Sequence, residues 1–74
     1  MYSDEQLRRW RSETIEDRRP QEFRRLKQDG ELEAAVDASV RSCVAEAERR
    51  IASGEMESAA WNYAVRTILL ETDD

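Results

Sequence analysis

Seventy-four residues make one domain at most, and a chain this short buries only about 60% of its unfolded surface, so self-association is expected of it. With no histidine, one cysteine, two glycines and one proline, the chain lacks the residues for disulfide frameworks, structural zinc and imidazole-based triads, and has little turn chemistry for β-hairpins. The net charge of −5 is divided unevenly: residues 1–30 carry eight basic and seven acidic groups, net +1, and residues 31–74 carry four and ten, net −6.

Long helices remain. The apolar residues, 39% of the chain, are spread along its length, which argues against a disordered tail. Ser3, three residues before Gln6, forms a capping box that predicts a first helix over about 4–17. Asp4 and Glu5 suit its first turn and stand four residues ahead of Arg8 and Arg9. Its apolar face is thin, consisting of Leu7 and Trp10 with Thr14 and Ile15 beside them, so it needs tertiary contacts to persist.

Pro20 ends that helix and suits the first turn of a second, over about 20–28, with Phe23 and Leu26 on one side. Asp29-Gly30 closes it. From 31 to 52 the residues Leu32, Val36, Val40, Cys43, Val44, Ala47 and Ile51 recur at steps of three and four. They make one stripe about 120° wide on a helix about 33 Å long. After the Ser53-Gly54 turn, a fourth helix over about 55–71 is apolar on two sides: Met56, Ala60, Tyr63, Ala64 and Leu70 on one, Trp61, Val65, Ile68 and Leu69 on the other. A helix of that kind must be buried on two sides. The third helix covers one through a short-loop hairpin, and the other falls to the N-terminal helices or a second copy. The acidic end, Glu71-Thr72-Asp73-Asp74, is expected to fray.

The expected fold is therefore all-α, a small helical bundle of two short N-terminal helices and a long antiparallel helical hairpin within a single domain, 1–74. A lone cysteine, no signal-like segment and no apolar run near 20 residues read as a cytoplasmic protein.

The arginine-rich stretch from Leu7 to Lys27 is the first candidate site. Its net charge is +4, and Trp10 and Phe23 could stack on bases, so Arg8, Arg11, Arg18, Arg19, Arg24 and Arg25 are candidates for contact with nucleic acid or an acidic partner. Against nucleic acid, carboxylates are interleaved: Asp4 and Glu5 can neutralise Arg8 and Arg9, Glu13 follows Arg9 by four, and Glu22 precedes Arg25 by three. A solvated or paired face is the favoured reading, with an anionic membrane the least favoured. The basic end could also meet the acidic half of the same chain or of a second copy, setting orientation more than stability.

The second candidate is a partner-binding face of Trp61, Val65, Leu69 and Arg66, to be weighed against plain core packing. Cys43 lies in the apolar stripe and reads as a small buried hydrophobe. Glu31/Glu33, Glu46/Glu48 and Glu55/Glu57 are spaced by two on helices, point apart and form no dyad. No catalytic, metal or cofactor site is expected.

The stretch from Gly30 to Glu71, with "DGELEAAVDASVRSCVAEAERRI" followed by "AAWNYAVRTILLE", resembles the small helical accessory proteins of bacterial transposons and phages. The resemblance implies a mobile-element protein acting on a host or element-encoded partner. The expected function is non-enzymatic, an adaptor or inhibitor that binds another protein through helix surfaces, with a homodimer as its unit. The alternative is a nucleic-acid-associated regulator using the N-terminal arginines.

Overall fold

Ser3 is extended, and its hydroxyl accepts from the Gln6 amide at 3.1 Å, so the helix predicted there begins as the capping pattern requires. In the computed structural model, which describes residues 2–72, α1 runs Asp4–Arg18, α2 Pro20–Gln28, α3 Leu32–Ala52 and α4 Glu57–Ala64. A π-helical turn, Val65–Leu69, continues α4. The described residues form no strand, and the fold is the small all-α bundle expected from the sequence. Met1, Asp73 and Asp74 lie outside the described residues, and with them the last two positions of the acidic end.

Pro20 sits at the start of α2, where its missing N–H loses nothing. The α2 and α3 C-termini each close on a glycine with positive φ, Gly30 at 70° and Gly54 at 102°. The Glu31 amide donates to Leu26 O at 2.8 Å and the Glu55 amide to Arg50 O at 3.0 Å, the six-to-one bond of a Schellman cap in both places.

The α3 stripe is the spine of the core. Val36, Val40, Cys43 and Ala47 are buried in one cluster with Leu7 and Ile15 of α1, Leu26 of α2, Ala64 of α4, and Val65 and Leu69 of the π-helical turn. Ala47, Ala60 and Ala64 are wholly buried, and side chains this small let the hairpin helices approach closely. Ala34, Ala38, Ala45 and Ala52 lie on the exposed face of α3.

The last helix departs from the expected 55–71. Met56 is extended and precedes α4, while Glu55 turns back to Arg50 at 2.9 Å, so the helix begins two residues later. From Val65 the hydrogen bonds lengthen by one residue, with the Leu70 amide donating to Val65 O at 3.0 Å. That extra residue per turn rotates everything beyond Ala64 away from its place on a 100° wheel. Met56 and Tyr63, which precede that turn and were expected inside, are 73% and 41% exposed. The Arg50 guanidinium lies 3.5 Å from the Tyr63 ring centroid and covers one face of it.

The second apolar side of this helix is met by α1, which packs along the π-helical turn. Tyr2 bridges the two tryptophans edge-on, with centroids 5.2 Å from Trp10 and 6.2 Å from Trp61. The molecule is elongated, 42 × 23 × 16 Å, with a radius of gyration of 12.9 Å, against about 11 Å for a compact chain of this length. Among the described residues no helix is long and apolar enough to cross a membrane.

Candidate functional site

The candidate arginines do not form one basic face. Arg8 donates to Asp4 at 3.0 Å and pairs with Asp37 on α3. Arg11, whose side chain is 13% exposed, crosses to the end of the π-helical turn. Its Nη1 donates to Ile68 O at 3.2 Å, Leu69 O at 3.1 Å and Glu71 Oε2 at 2.9 Å. Arg19 takes the other Glu71 oxygen at 2.9 Å. Arginines of the N-terminal segment thus meet carboxylates of the acidic half of their own chain.

Arg25 stands 3.8 Å from Asp29 rather than pairing with Glu22. The expected Glu5–Arg9 and Arg9–Glu13 pairs are not formed. Their helical spacing permits contact, but all three side chains lie in solvent, where such pairs contribute little. Arg18 and Arg24 are exposed and have no ion-pair partner among the described residues.

Partial burial pushes the Glu71 carboxyl up, but hydrogen bonds and charge from Arg11 and Arg19 outweigh it, leaving the group below its ordinary range. Asp37 is held low in the same sense, first by its hydrogen bond from Arg41 and, against some desolvation, by Arg41 and Arg8 charge. The expected fraying of Glu71 and Thr72 is corrected: Glu71 adopts φ 54°, and the Thr72 amide donates to Arg66 O at 2.9 Å.

The proposed partner face of Trp61, Val65, Leu69 and Arg66 is also corrected. Val65 and Leu69 are 4% and 0% exposed, inside the core, because α1 lies over the side of the helix that the sequence left open. Trp61 is half-buried against Tyr2 and the core. Arg66 is half-buried, and its carbonyl accepts from both the amide and the hydroxyl of Thr72. These four residues present no continuous surface.

What the packing does leave open is a groove of about 740 Å³ between the C-terminal half of α1, the start of α2 and Leu70. Trp10, Glu13, Thr14 and Asp17 recur at three- and four-residue steps and so line it from one face of α1. The Thr14 hydroxyl donates to Trp10 O at 2.8 Å, which satisfies it against the apolar floor. At the far end the Arg19 amide donates to Ile15 O at 2.7 Å and closes α1, placing Pro20 in the lining. Leu70 enters from the other side, held there by the turn at Glu71.

Trp10, Pro20 and Leu70 make the apolar part of the groove; Glu13, Glu16 and Asp17 make its rim, with Arg18 the one cation in the lining. None of the three carboxylates has an ion-pair partner among the described residues. The Trp10–Thr14 row is visible in the sequence, but the approach of Leu70 is not, since it depends on how the chain turns some 55–60 residues later.

Elsewhere, Glu46 and Glu55 converge on Arg50 at 2.7 and 2.9 Å and tie the α3–α4 turn, each from a different glutamate pair of the sequence. Cys43 is fully buried, and burial pushes its thiol up to about 11, far from a reactive thiolate. Among the described residues no group of three His, Cys, Asp or Glu could hold a metal ion. Comparison with protein-family models, with curated proteins and with solved structures yields no match.

Proposed function

We propose that this chain is a non-enzymatic protein-binding module, an adaptor or inhibitor, and that it grips another protein in the groove beside Trp10 and Leu70. The observation that carries the reading is the groove itself. It is open to solvent, and it pairs the exposed carboxylates Glu13, Glu16 and Asp17 with apolar area of Trp10, Pro20 and Leu70 that this chain leaves uncovered. The elongated shape supports the reading too, because it presents more edge than a compact chain of the same length. The buried, unreactive Cys43 fits a reducing, cytoplasmic setting, and the resemblance of residues 30–71 makes a phage or mobile element the proposed source. A second copy is not required to bury the last helix, so the proposed partner is a different protein rather than a homodimer mate.

The nucleic-acid reading has less support. Arg8, Arg11 and Arg19 are engaged within the chain, and the groove has a rim that repels phosphate.

The test is capture from extract of the native host by the immobilised full chain, with the groove blocked by a bulky maleimide adduct at Glu13→Cys. The same adduct at Ala45→Cys on the exposed face of α3 is the control, and buried Cys43 does not compete for the reagent. The expected result is a discrete protein retained by the unmodified chain and the Ala45→Cys adduct and lost from the Glu13→Cys adduct. Equal retention by both adducts, or retention of nuclease-sensitive material alone, overturns the proposal.

A further inference from the structure

Resting on the groove as a protein-contact site, we propose that its occupant is a basic amphipathic helix of the partner, with an aliphatic anchor for the Trp10–Leu70 floor and Arg or Lys for the rim. Charge complementarity selects the class. Glu13, Glu16 and Asp17 face one groove with only Arg18 among them, whereas Glu5 and Glu33, also outside any ion pair among the described residues, share their smaller groove with Arg8 and Arg9. The unneutralised rim favours a cation and disfavours phosphate, an anionic lipid surface or an acidic peptide.

Geometry selects a helix within that class. Glu13 and Asp17 stand four residues apart on α1, about 6 Å along its axis. A helix laid along α1 presents its own basic residues at the same one-turn interval, so two rim pairs form in register. Its apolar stripe then faces Trp10 and Leu70, both half-buried in the free chain, and completes the burial of those side chains as a helix seated in a groove does. Such an arrangement extends the bundle by one helix. The rim pairs fix orientation and speed encounter, while the apolar anchor contributes most of the affinity.

The experiment uses the full chain and a labelled synthetic peptide of about 15 residues, long enough for four helical turns, with Leu on one face and Arg at one-turn intervals beside it. A peptide with Gln in place of each Arg is compared. Fluorescence anisotropy is read against wild type, the rim variant Glu13→Gln/Glu16→Gln/Asp17→Asn, and Glu48→Gln, an exposed acid on α3 outside the groove. The expected result is that the Arg peptide binds wild type and Glu48→Gln alike and binds the rim variant about tenfold more weakly, while the Gln peptide is indifferent to the rim change. Equal binding of the Arg peptide to wild type and the rim variant, or no binding at all, overturns the inference. So does concentration-dependent self-association abolished by the rim variant, since the occupant is then the basic α2 of a second copy. If the Gln peptide binds as tightly as the Arg peptide and host capture is still lost on the Glu13→Cys adduct, the groove stands and only the basic occupant fails. If that adduct leaves capture intact, the function reading fails first.

Discussion

Among the described residues, three helix ends close through a residue with positive φ, and they are built in two ways. At Gly30 and Gly54 the turn is local: the glycine accepts the left-handed geometry, and backbone bonds to Lys27, Leu26, Ile51 and Arg50 close the last carbonyls. At the C-terminus the residue is Glu71, whose φ of 54° is unfavourable for a side chain by about 1 kcal/mol or more. There the bond from Thr72 reaches Arg66, one residue further back than in the glycine caps, because the preceding turn is π-helical. Two further carbonyls, at Ile68 and Leu69, are capped by Arg11 from α1. A cap that glycine closes with bonds from its immediate neighbours, at Gly54 including the Ser53 hydroxyl on Arg50 O, is made at Glu71 by tertiary contact, so the first kind depends on nearby residues and the second on the assembled fold.

The largest test of that difference removes the borrowed donor. Arg11→Met keeps an unbranched side chain of similar reach but leaves two carbonyls without their side-chain donor and Glu71 with half its partners. We expect a loss of about 2–3 kcal/mol in urea unfolding. Arg19→Met removes one exposed partner of the same carboxylate and is expected to lose under about 1 kcal/mol. If the two variants unfold alike, Arg11 is a surface ion pair and not a cap.

Replacing the glycine in a local cap has a smaller effect. At Gly54 a Cβ meets nothing within 4 Å, so Gly54→Ala tests the backbone at φ 102° without a steric clash. The expected loss is about 1 kcal/mol, with the α3 and α4 spectra unchanged. A neutral outcome means that the turn relaxes to negative φ, and that the six-to-one bond from Glu55 to Arg50 does not hold it.

The same contrast explains what could be read from the chain. The glycine caps, the Ser3 cap, the Pro20 break and the α3 stripe from Val36 to Ala47 are local, decided by residues within a few positions of one another. The α4 register past Ala64 was not legible, because a fixed 100° step has no way to insert the π turn. Neither was the ordering of Glu71, whose partners Arg11 and Arg19 lie 60 and 52 residues away. The groove was half legible: Trp10, Glu13, Thr14 and Asp17 mark one wall by spacing, while Leu70 is placed only by the Glu71 turn. Burial of Val65 and Leu69 is legible from the two-sided apolar pattern, but what covers them is not, because nothing local shows that α1 does.

The smallest expected effect is also the most diagnostic, because it isolates the charge of Glu71 from its backbone. Glu71→Gln keeps the side-chain shape and removes the titrating group. The folded-state carboxyl lies below its ordinary value of 4.5, so its contribution is present above that value and is lost as pH falls through the lower folded one. Both partners are arginines and stay charged throughout. Wild type should therefore exceed Glu71→Gln in unfolding free energy from urea titration at about pH 7, by no more than about 1 kcal/mol for a partly exposed group. The gap should close as pH drops below about 4.5. Asp37 and Glu46 are likewise held low by arginines, so the variant keeps an acid-dependent slope of its own. The signature is convergence of the two curves at low pH, and parallel curves would mean that the Glu71 carboxylate plays no part in closing the helix.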